Sequence, residues 1–182
     1  LASGLTVGKR FHSAPVVRHG DAKPVQLGHC HTANGAYRIY AFGGSADAMS
    51  DQCGVKALCE FLANDASSPL QQYTPAGADA DAVIDVRAVF NQHHQAVETG
   101  TIHPVLAPQK GKYGLRDHEK VFCADHRPES SGGGKNVYDM RGINKEQGCI
   151  VIVRPDQYVA DVLPLDDYAS HAHTRPQFST SR

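Results

Sequence analysis

The sequence has little of what membrane proteins and nucleic-acid proteins need. Its most apolar stretch, residues 150–153, is four residues long, whereas a helix that spans a bilayer needs about 20. Lys and Arg number 18 and Asp and Glu number 19, which gives a formal net charge of −1. No segment combines basic residues with aromatic ones, the usual signature of nucleic-acid binding. We therefore expect a chain that works in water, with neither membrane nor nucleic acid as a partner.

Cysteine pairs that would build a disulfide framework are also absent. The five cysteines are an odd number, and no C-x-x-C motif occurs among them. A chain long enough to bury its own core does not need disulfides, so this usage favours a reducing compartment, and we expect a cytoplasmic location. The first residue is Leu1 rather than methionine. We therefore expect a processed product or a piece of a longer polypeptide.

Phosphate-binding motifs are missing as well. No G-x-G-x-x-G opens a helix after a strand, and no G-x-S-x-G elbow is present. The glycine-rich run at residues 130–134 is followed by Lys135 and Asn136 rather than by the Lys-Ser or Lys-Thr of a P-loop. This run is predicted to be a flexible link. The chain itself is predicted to hold no cofactor.

The 182 residues suit one compact domain with an arm at its start. Residues 1–36 hold two short apolar pieces, 15–17 and 25–27, among prolines and glycines, which predicts an extended arm with edge strands. Asn34-Gly35 is typical of the turn that joins two hairpin strands. The main domain is then expected over residues 37–170, with a C-terminal tail over 171–182.

Hydrophobic periodicity predicts a strand, a helix and a strand after the arm. Residues 37–42 and 83–90 alternate with a period of two, with Asp85 and Arg87 on the second face of the later strand. Asp51 is predicted to cap the helix between them, which closes at 64–65. Its apolar face has helical spacing: Val55, Leu58, Cys59 and Leu62. A right-handed crossover would make the two strands parallel.

The end of the chain predicts an antiparallel hairpin. Residues 150–153 form an apolar strand, Arg154-Pro155-Asp156-Gln157 supplies a turn, and residues 158–163 return. The region between is less periodic, with a short strand at 121–123 and a helical turn before Gly148. The expected fold is therefore α/β and thioredoxin-like, with a central mixed sheet, formed by the βαβ unit and the hairpin, and flanking helices.

Five blocks along the chain resemble one family. They are RFHSAPVVR (10–18), DAKPVQLGH (21–29), YRIYAF (37–42), DHEKVF (117–122) and GCIVIVRPDQYV (148–159). In this order they resemble the C-terminal domain of the phenol 2-monooxygenase (phenol hydroxylase) family of flavin-dependent aromatic hydroxylases, of fungal type. The last block is the most specific of the five.

The resemblance implies a non-catalytic module of a larger enzyme. In that family the domain is thioredoxin-like and takes part in dimerisation, while FAD binding, reduction by NADPH and substrate hydroxylation belong to preceding domains. The implied partners are therefore the FAD-binding and substrate domains of a parent enzyme and a second copy in a homodimer. No catalytic, cofactor-binding or metal residue is assigned within this chain.

An alternative is a free-standing thioredoxin-like redox or binding protein that uses Cys53. A thiol at the start of the first helix would be activated by the helix dipole. Cys53 lies near that position, but a resolving cysteine three residues on is replaced by Lys56. We therefore expect Cys53 to be structural, and Cys59, on the apolar helix face, to lie in the core.

Several polar groups resemble sites, but structural or surface roles are expected for them. Eleven histidines include the clusters His29-Cys30-His31, His93-His94 and His171-x-His173. Zinc would require two such pieces to converge, which the sequence does not show, so surface histidines are expected. Neighbouring residues at 117–119 point in different directions and build no acid-base site. Arg154, which leaves an apolar strand, is expected to need a carboxylate or carbonyl partner that fixes the turn, or to contact another domain.

Overall fold

The computed structural model describes residues 1–48, 50–125 and 135–167. Nine strands and three α-helices of the described chain follow in order: β1 (Pro15–Arg18), β2 (Lys23–Gln26), β3 (Tyr37–Phe42), α1 (Gly54–Asn64), α2 (Pro69–Tyr73), β4 (Ile84–Phe90), β5 (Gln109–Lys110), β6 (Leu115–Arg116), β7 (Val121–Cys123), α3 (Val137–Arg141), β8 (Cys149–Val153) and β9 (Val159–Leu163). The predicted strands at 37–42, 83–90, 121–123, 150–153 and 158–163 are therefore confirmed, to within one residue at each end.

Seven strands form one mixed sheet in the order β2-β1-β7-β4-β3-β8-β9. The pair β3 and β4 is parallel, as the crossover predicts, while β8 is antiparallel to both β3 and β9. The sheet thus contains a βαβ unit extended by an antiparallel hairpin, which is the thioredoxin-like arrangement predicted from the sequence. On the far side β7 continues the parallel set beside β4, and the arm strands β1 and β2 close that edge.

Each face of the sheet buries its own hydrophobic core. Ile39 and Ala41 of β3 point towards α1, whose predicted apolar face is buried. Tyr40 and Phe42 of the same strand point the other way, towards a second core built from the arm and α3. Because successive strand residues face opposite sides, a sheet covered on both faces buries nearly every residue of its central strands. All seven residues of β4 are buried for this reason.

The start of α1 differs from the prediction. Cys53, not Asp51, occupies the cap position, and its side chain makes no capping hydrogen bond. Asp51 lies before the helix begins and pairs instead with Lys56. The predicted cap is therefore wrong.

The turn at Asn34-Gly35 joins no hairpin. Gly35 has the positive φ of +77° that such a turn requires, but β3 pairs with β4 and β8 rather than with the preceding β2. The hairpin interpretation is wrong because the arm strands reach the opposite edge of the sheet. Local turn chemistry predicts the bend and not which strands it joins.

Helix α2 and the short hairpin formed by β5 and β6 were not predicted. Ser68 caps α2 by accepting a hydrogen bond from the backbone N–H of Gln71 at 3.3 Å, with Pro69 in the first turn. A Ser-x-x-Gln pattern with proline in second place is a known helix-start signal that could have found it.

Gly148 is required by the fold. Its φ is +68°, and a Cβ at this position would lie 2.1 Å from the carbonyl oxygen of Phe42. Any side chain would therefore force β8 away from β3. This glycine opens the most specific of the five sequence blocks.

Candidate functional site

Cys53 lies at the N-terminus of α1, where the helix dipole favours a thiolate, but its side chain is buried. Only 2% of the residue is exposed. The nearby cation Lys56 is engaged with Asp51. Cys59, one and a half turns further on, is fully buried, and burial raises its pKa well above the usual range. The five cysteines are free thiols. A peroxide or disulfide substrate would reach Cys53 only if the start of α1 opened.

His31 does not lie on the surface as expected. Its ring stacks with Phe11 and Tyr40 at centroid distances of 5.6 and 5.5 Å, and it is hydrogen bonded to the Tyr40 hydroxyl. Burial, with repulsion from Arg38 and Arg87, lowers the pKa of His31 to about 4. The prediction of a polar surface residue is wrong here because the arm folds onto the sheet and half-buries this ring between Phe11 and Tyr40. His29, two residues earlier, is exposed.

Replacing His31 with glutamine should reduce the loss of stability in mild acid. The folded imidazole stays neutral down to pH about 4, whereas in the unfolded chain it binds a proton below about 6.5. Protonation therefore favours unfolding, and stability falls as the pH drops from 6.5 to 4 by about 1–3 kcal/mol, after allowance for partial exposure. Urea denaturation at pH 7 and pH 4.5 measures this difference. A His12→Gln variant, at an exposed histidine of the same arm, should keep the full loss, and equal losses in both variants would refute the assignment.

Four charged side chains form a buried charge cluster on the arm side of the sheet: Arg38, Asp85, Arg87 and Lys120. Asp85 is at its centre, with Arg87 Nε at 2.8 Å, Lys120 Nζ at 2.5 Å and Arg38 Nε at 3.7 Å. Arg38 also donates to the carbonyls of Ala36 and Thr32.

Two further aspartates neutralise the outer end of this cluster. Asp81 lies 2.6 Å from Lys120, and Asp117 lies 3.4 Å from Lys110. Burial alone would raise the pKa of both carboxyls, but hydrogen bonds and neighbouring lysines outweigh it, so both pKa values are lowered. Glu119 instead pairs with Arg18. The carboxylates at 117 and 119 thus enter different ion pairs.

His93 and His94 meet Asp125 at the carboxyl ends of β4 and β7. One carboxylate oxygen of Asp125 is paired with His94 Nδ1 and lies 3.5 Å from His93 Nε2. Near them the imidazole of His19 is half-buried, and its pKa is lowered chiefly by burial. The sequence singled out the histidine pair but not Asp125, which is 31 residues away. His171 and His173 lie outside the described residues, as do 130–134 and the predicted tail.

Arg154 makes the turn contact that the sequence predicts. Its guanidinium lies 2.5 Å from the carboxylate of Asp156, and both side chains are about half exposed. The Asp156 carboxylate also accepts a hydrogen bond from the backbone N–H of Tyr158. The pair therefore holds the tight connection between β8 and β9.

The most exposed apolar side chains of the described chain lie on the surface hairpin, residues 109–116. Tyr113 is 78% exposed and Leu115 is 70% exposed. Strands β5 and β6 pair with each other and not with the seven-stranded sheet. Lys110 nevertheless anchors the hairpin to Asp81 at 2.9 Å, and the Gly111 N–H donates to Asp79 at 2.9 Å. It therefore presents apolar side chains to solvent from a fixed position. Among the described residues, no helix has the length and apolarity of a bilayer span.

The sheet topology defines a thioredoxin-like α/β domain. Residues 1–175 match the family described as phenol hydroxylase, C-terminal dimerisation domain. The chain belongs to this family, and the resemblance seen in the five sequence blocks is confirmed.

Similar proteins come from bacteria and fungi. The 3-hydroxybenzoate 4-monooxygenase of Comamonas testosteroni is 52% identical over 170 residues, which are 93% of this chain and 26% of the relative. The FAD-dependent monooxygenase terD of Aspergillus terreus is 32% identical over 92% of this chain and 27% of the relative. A Bacteroides thetaiotaomicron structure described as a protein disulfide isomerase has a TM-score of 0.49 at 10% identity, covering 93% of this chain and 87% of that one. The chain thus spans about a quarter of the length of these monooxygenase relatives.

Proposed function

We propose that this chain is the dimerisation and assembly domain of a larger FAD-dependent aromatic monooxygenase. The observation that carries the proposal is the family match over residues 1–175, combined with relatives of which the chain covers only 26–27%. The sites for FAD, NADPH and the aromatic substrate would lie in the rest of the parent enzyme. The domain would contribute to catalysis by holding flavin-bearing subunits together.

The relatives and the cysteines also suggest the substrate class and the compartment of the parent enzyme. The 52% identity to a 3-hydroxybenzoate 4-monooxygenase favours a hydroxylated benzoate over phenol as substrate. Five free thiols suit a reducing, cytoplasmic compartment. Within this chain we propose an arm at 1–36, a domain at 37–170 and a tail at 171–182.

The surface hairpin is the best candidate for the contact between subunits. Interface centres are enriched in aromatic residues, and Tyr113 with Leu115 provides an exposed apolar pair that could serve as one. Lys112 lies over the Tyr113 ring at 5.2 Å, a contact that favours this position of the ring. Because Lys110 and Gly111 are anchored to Asp81 and Asp79, less conformational entropy would be lost when the hairpin docks.

Sedimentation of the chain over a wide concentration range should show a dimer that depends on the hairpin. Replacing both Tyr113 and Leu115 with serine should weaken dimerisation by about 30-fold or more, since a central anchor contributes about 2 kcal/mol or more to binding. The control is Val7→Ser, which removes an apolar side chain of 56% exposure outside the hairpin and should leave the dimer intact. A monomer at every concentration would refute the assembly role. A dimer unaffected by the double variant would instead refute only the hairpin as its contact.

A further inference from the structure

The parallel strands β4 and β7 end side by side and bring three metal-binding side chains together. Phe90, the last residue of β4, is paired in register with Cys123, the last residue of β7. His93 and His94 follow the first strand end by three and four residues, and Asp125 follows the second by two. The carboxyl ends of parallel strands are where α/β folds build their ligand sites. The register between β4 and β7 therefore brings these three side chains together.

These three side chains are close enough together to hold a transition-metal ion once the hydrogen bond between His94 and Asp125 opens. One ligand atom from each lies within 4.8 Å of the other two. Around a tetrahedral zinc ion with bonds near 2.0–2.1 Å, ligand atoms stand about 3.3 Å apart. His93 Nε2 and an Asp125 carboxylate oxygen are 3.5 Å apart. Two imidazoles and one carboxylate are a donor set that suits zinc.

The site is partly built and has unused coordination capacity. The side chains of His94 and Asp125 are 14% and 11% exposed, while that of His93 is 55% exposed and leaves an entrance. The other carboxylate oxygen of Asp125, Oδ1, is buried and has no hydrogen-bond partner among the described residues. The backbone N–H of His94 donates to Asp125 Oδ2 at 3.2 Å and orients the carboxylate. A buried acceptor without a donor is unfavourable in water-excluded surroundings, and a cation would satisfy it.

We propose that His93, His94 and Asp125 form a binding site for one divalent transition-metal ion, zinc by its donor chemistry. Three protein ligands leave one coordination position for water. A metal ion takes the lone pair of the ring nitrogen that faces Asp125, so any proton on that nitrogen moves to the opposite ring nitrogen or to solvent when the ion binds. At His93 a proton moved to Nδ1 would break the hydrogen bond that Nδ1 accepts from the Gln95 N–H at 3.3 Å. That hydrogen bond is long and therefore weak. The ion would tie the loop after β4 to the end of β7.

Zinc titration of the chelator-treated chain tests the proposal. Isothermal calorimetry should show one site per chain, and Co²⁺ should give the intense visible bands of a four-coordinate ion. His93→Gln should weaken zinc binding by about 100-fold, since even groups that only support a ligand contribute 10–100-fold to affinity. Because His93 is half exposed, this variant should fold normally, which circular dichroism checks. Asp125→Asn should give the same loss.

Controls separate this site from general affinity of histidines for zinc. His12→Gln and His29→Gln remove exposed imidazoles elsewhere and should leave the affinity and the cobalt bands unchanged. Zinc should also raise the melting temperature of the wild type and not that of His93→Gln. If His93→Gln and His12→Gln bind zinc equally, or if the wild type binds several ions with similar weak affinity, the proposed site does not exist.

Discussion

Replacing Val151 with aspartate should strongly destabilise the folded chain. Val151 is fully buried, on the interior strand β8 between β3 and β9, and its side chain packs into the second core with Tyr40 and Phe42. An aspartate there would place a carboxylate in an apolar layer or force a proton onto it, in addition to losing the valine contacts. The expected cost is about 4 kcal/mol or more, a large part of the 5–15 kcal/mol that holds a domain together.

Chemical denaturation followed by circular dichroism measures this loss. His12→Asp introduces the same side chain at an exposed position and should shift the denaturation midpoint little, within the ±0.5 kcal/mol typical of surface changes. Equal midpoints for the two variants would mean that β8 is not a buried strand of the sheet.

Replacing Asp85 with alanine should be nearly as damaging, through charge rather than volume. Asp85 is the carboxylate shared by Arg38, Arg87 and Lys120, and all four side chains are less than 10% exposed. Removing it leaves three buried cations close together with only Asp81 and Asp117 at one end. Breaking a buried pair from one side costs about 3–5 kcal/mol.

The matched control is an exposed ion pair of similar length. Lys145 and Asp139 are 2.7 Å apart, and each side chain is more than 40% exposed. Asp139→Ala should cost at most about 1 kcal/mol, because solvent screens such pairs. If urea midpoints show the same cost for Asp85→Ala as for Asp139→Ala, the cluster contributes no more than a surface pair and its burial has no energetic consequence.

The surface histidines and the buried cluster show where sequence patterns stop being informative. Asp85 and Arg87 alternate with apolar residues, a pattern that equally fits a strand with one wet face. Only the arm, which returns to pair β1 with β7 and covers that face, makes them buried charges. His31 lies on the arm itself and is half-buried because its ring stacks with Phe11 and Tyr40. The arm strand that covers Asp85 and Arg87 is distant from them in sequence.

The sequence by itself determined the main elements and the family. Period-two alternation located β3 and β4, a continuous apolar run located β8, helical spacing located the buried face of α1, and the five ordered blocks identified the phenol hydroxylase C-terminal domain family. These signals are local, because a strand or helix imposes its repeat on neighbouring residues. Tertiary structure alone decided which residues meet across long separations: Asp85 with Lys120, His31 with Phe11, and His93 and His94 with Asp125. Such contacts depend on sheet order and register, which are set by the packing of the whole chain and leave no repeat in the sequence.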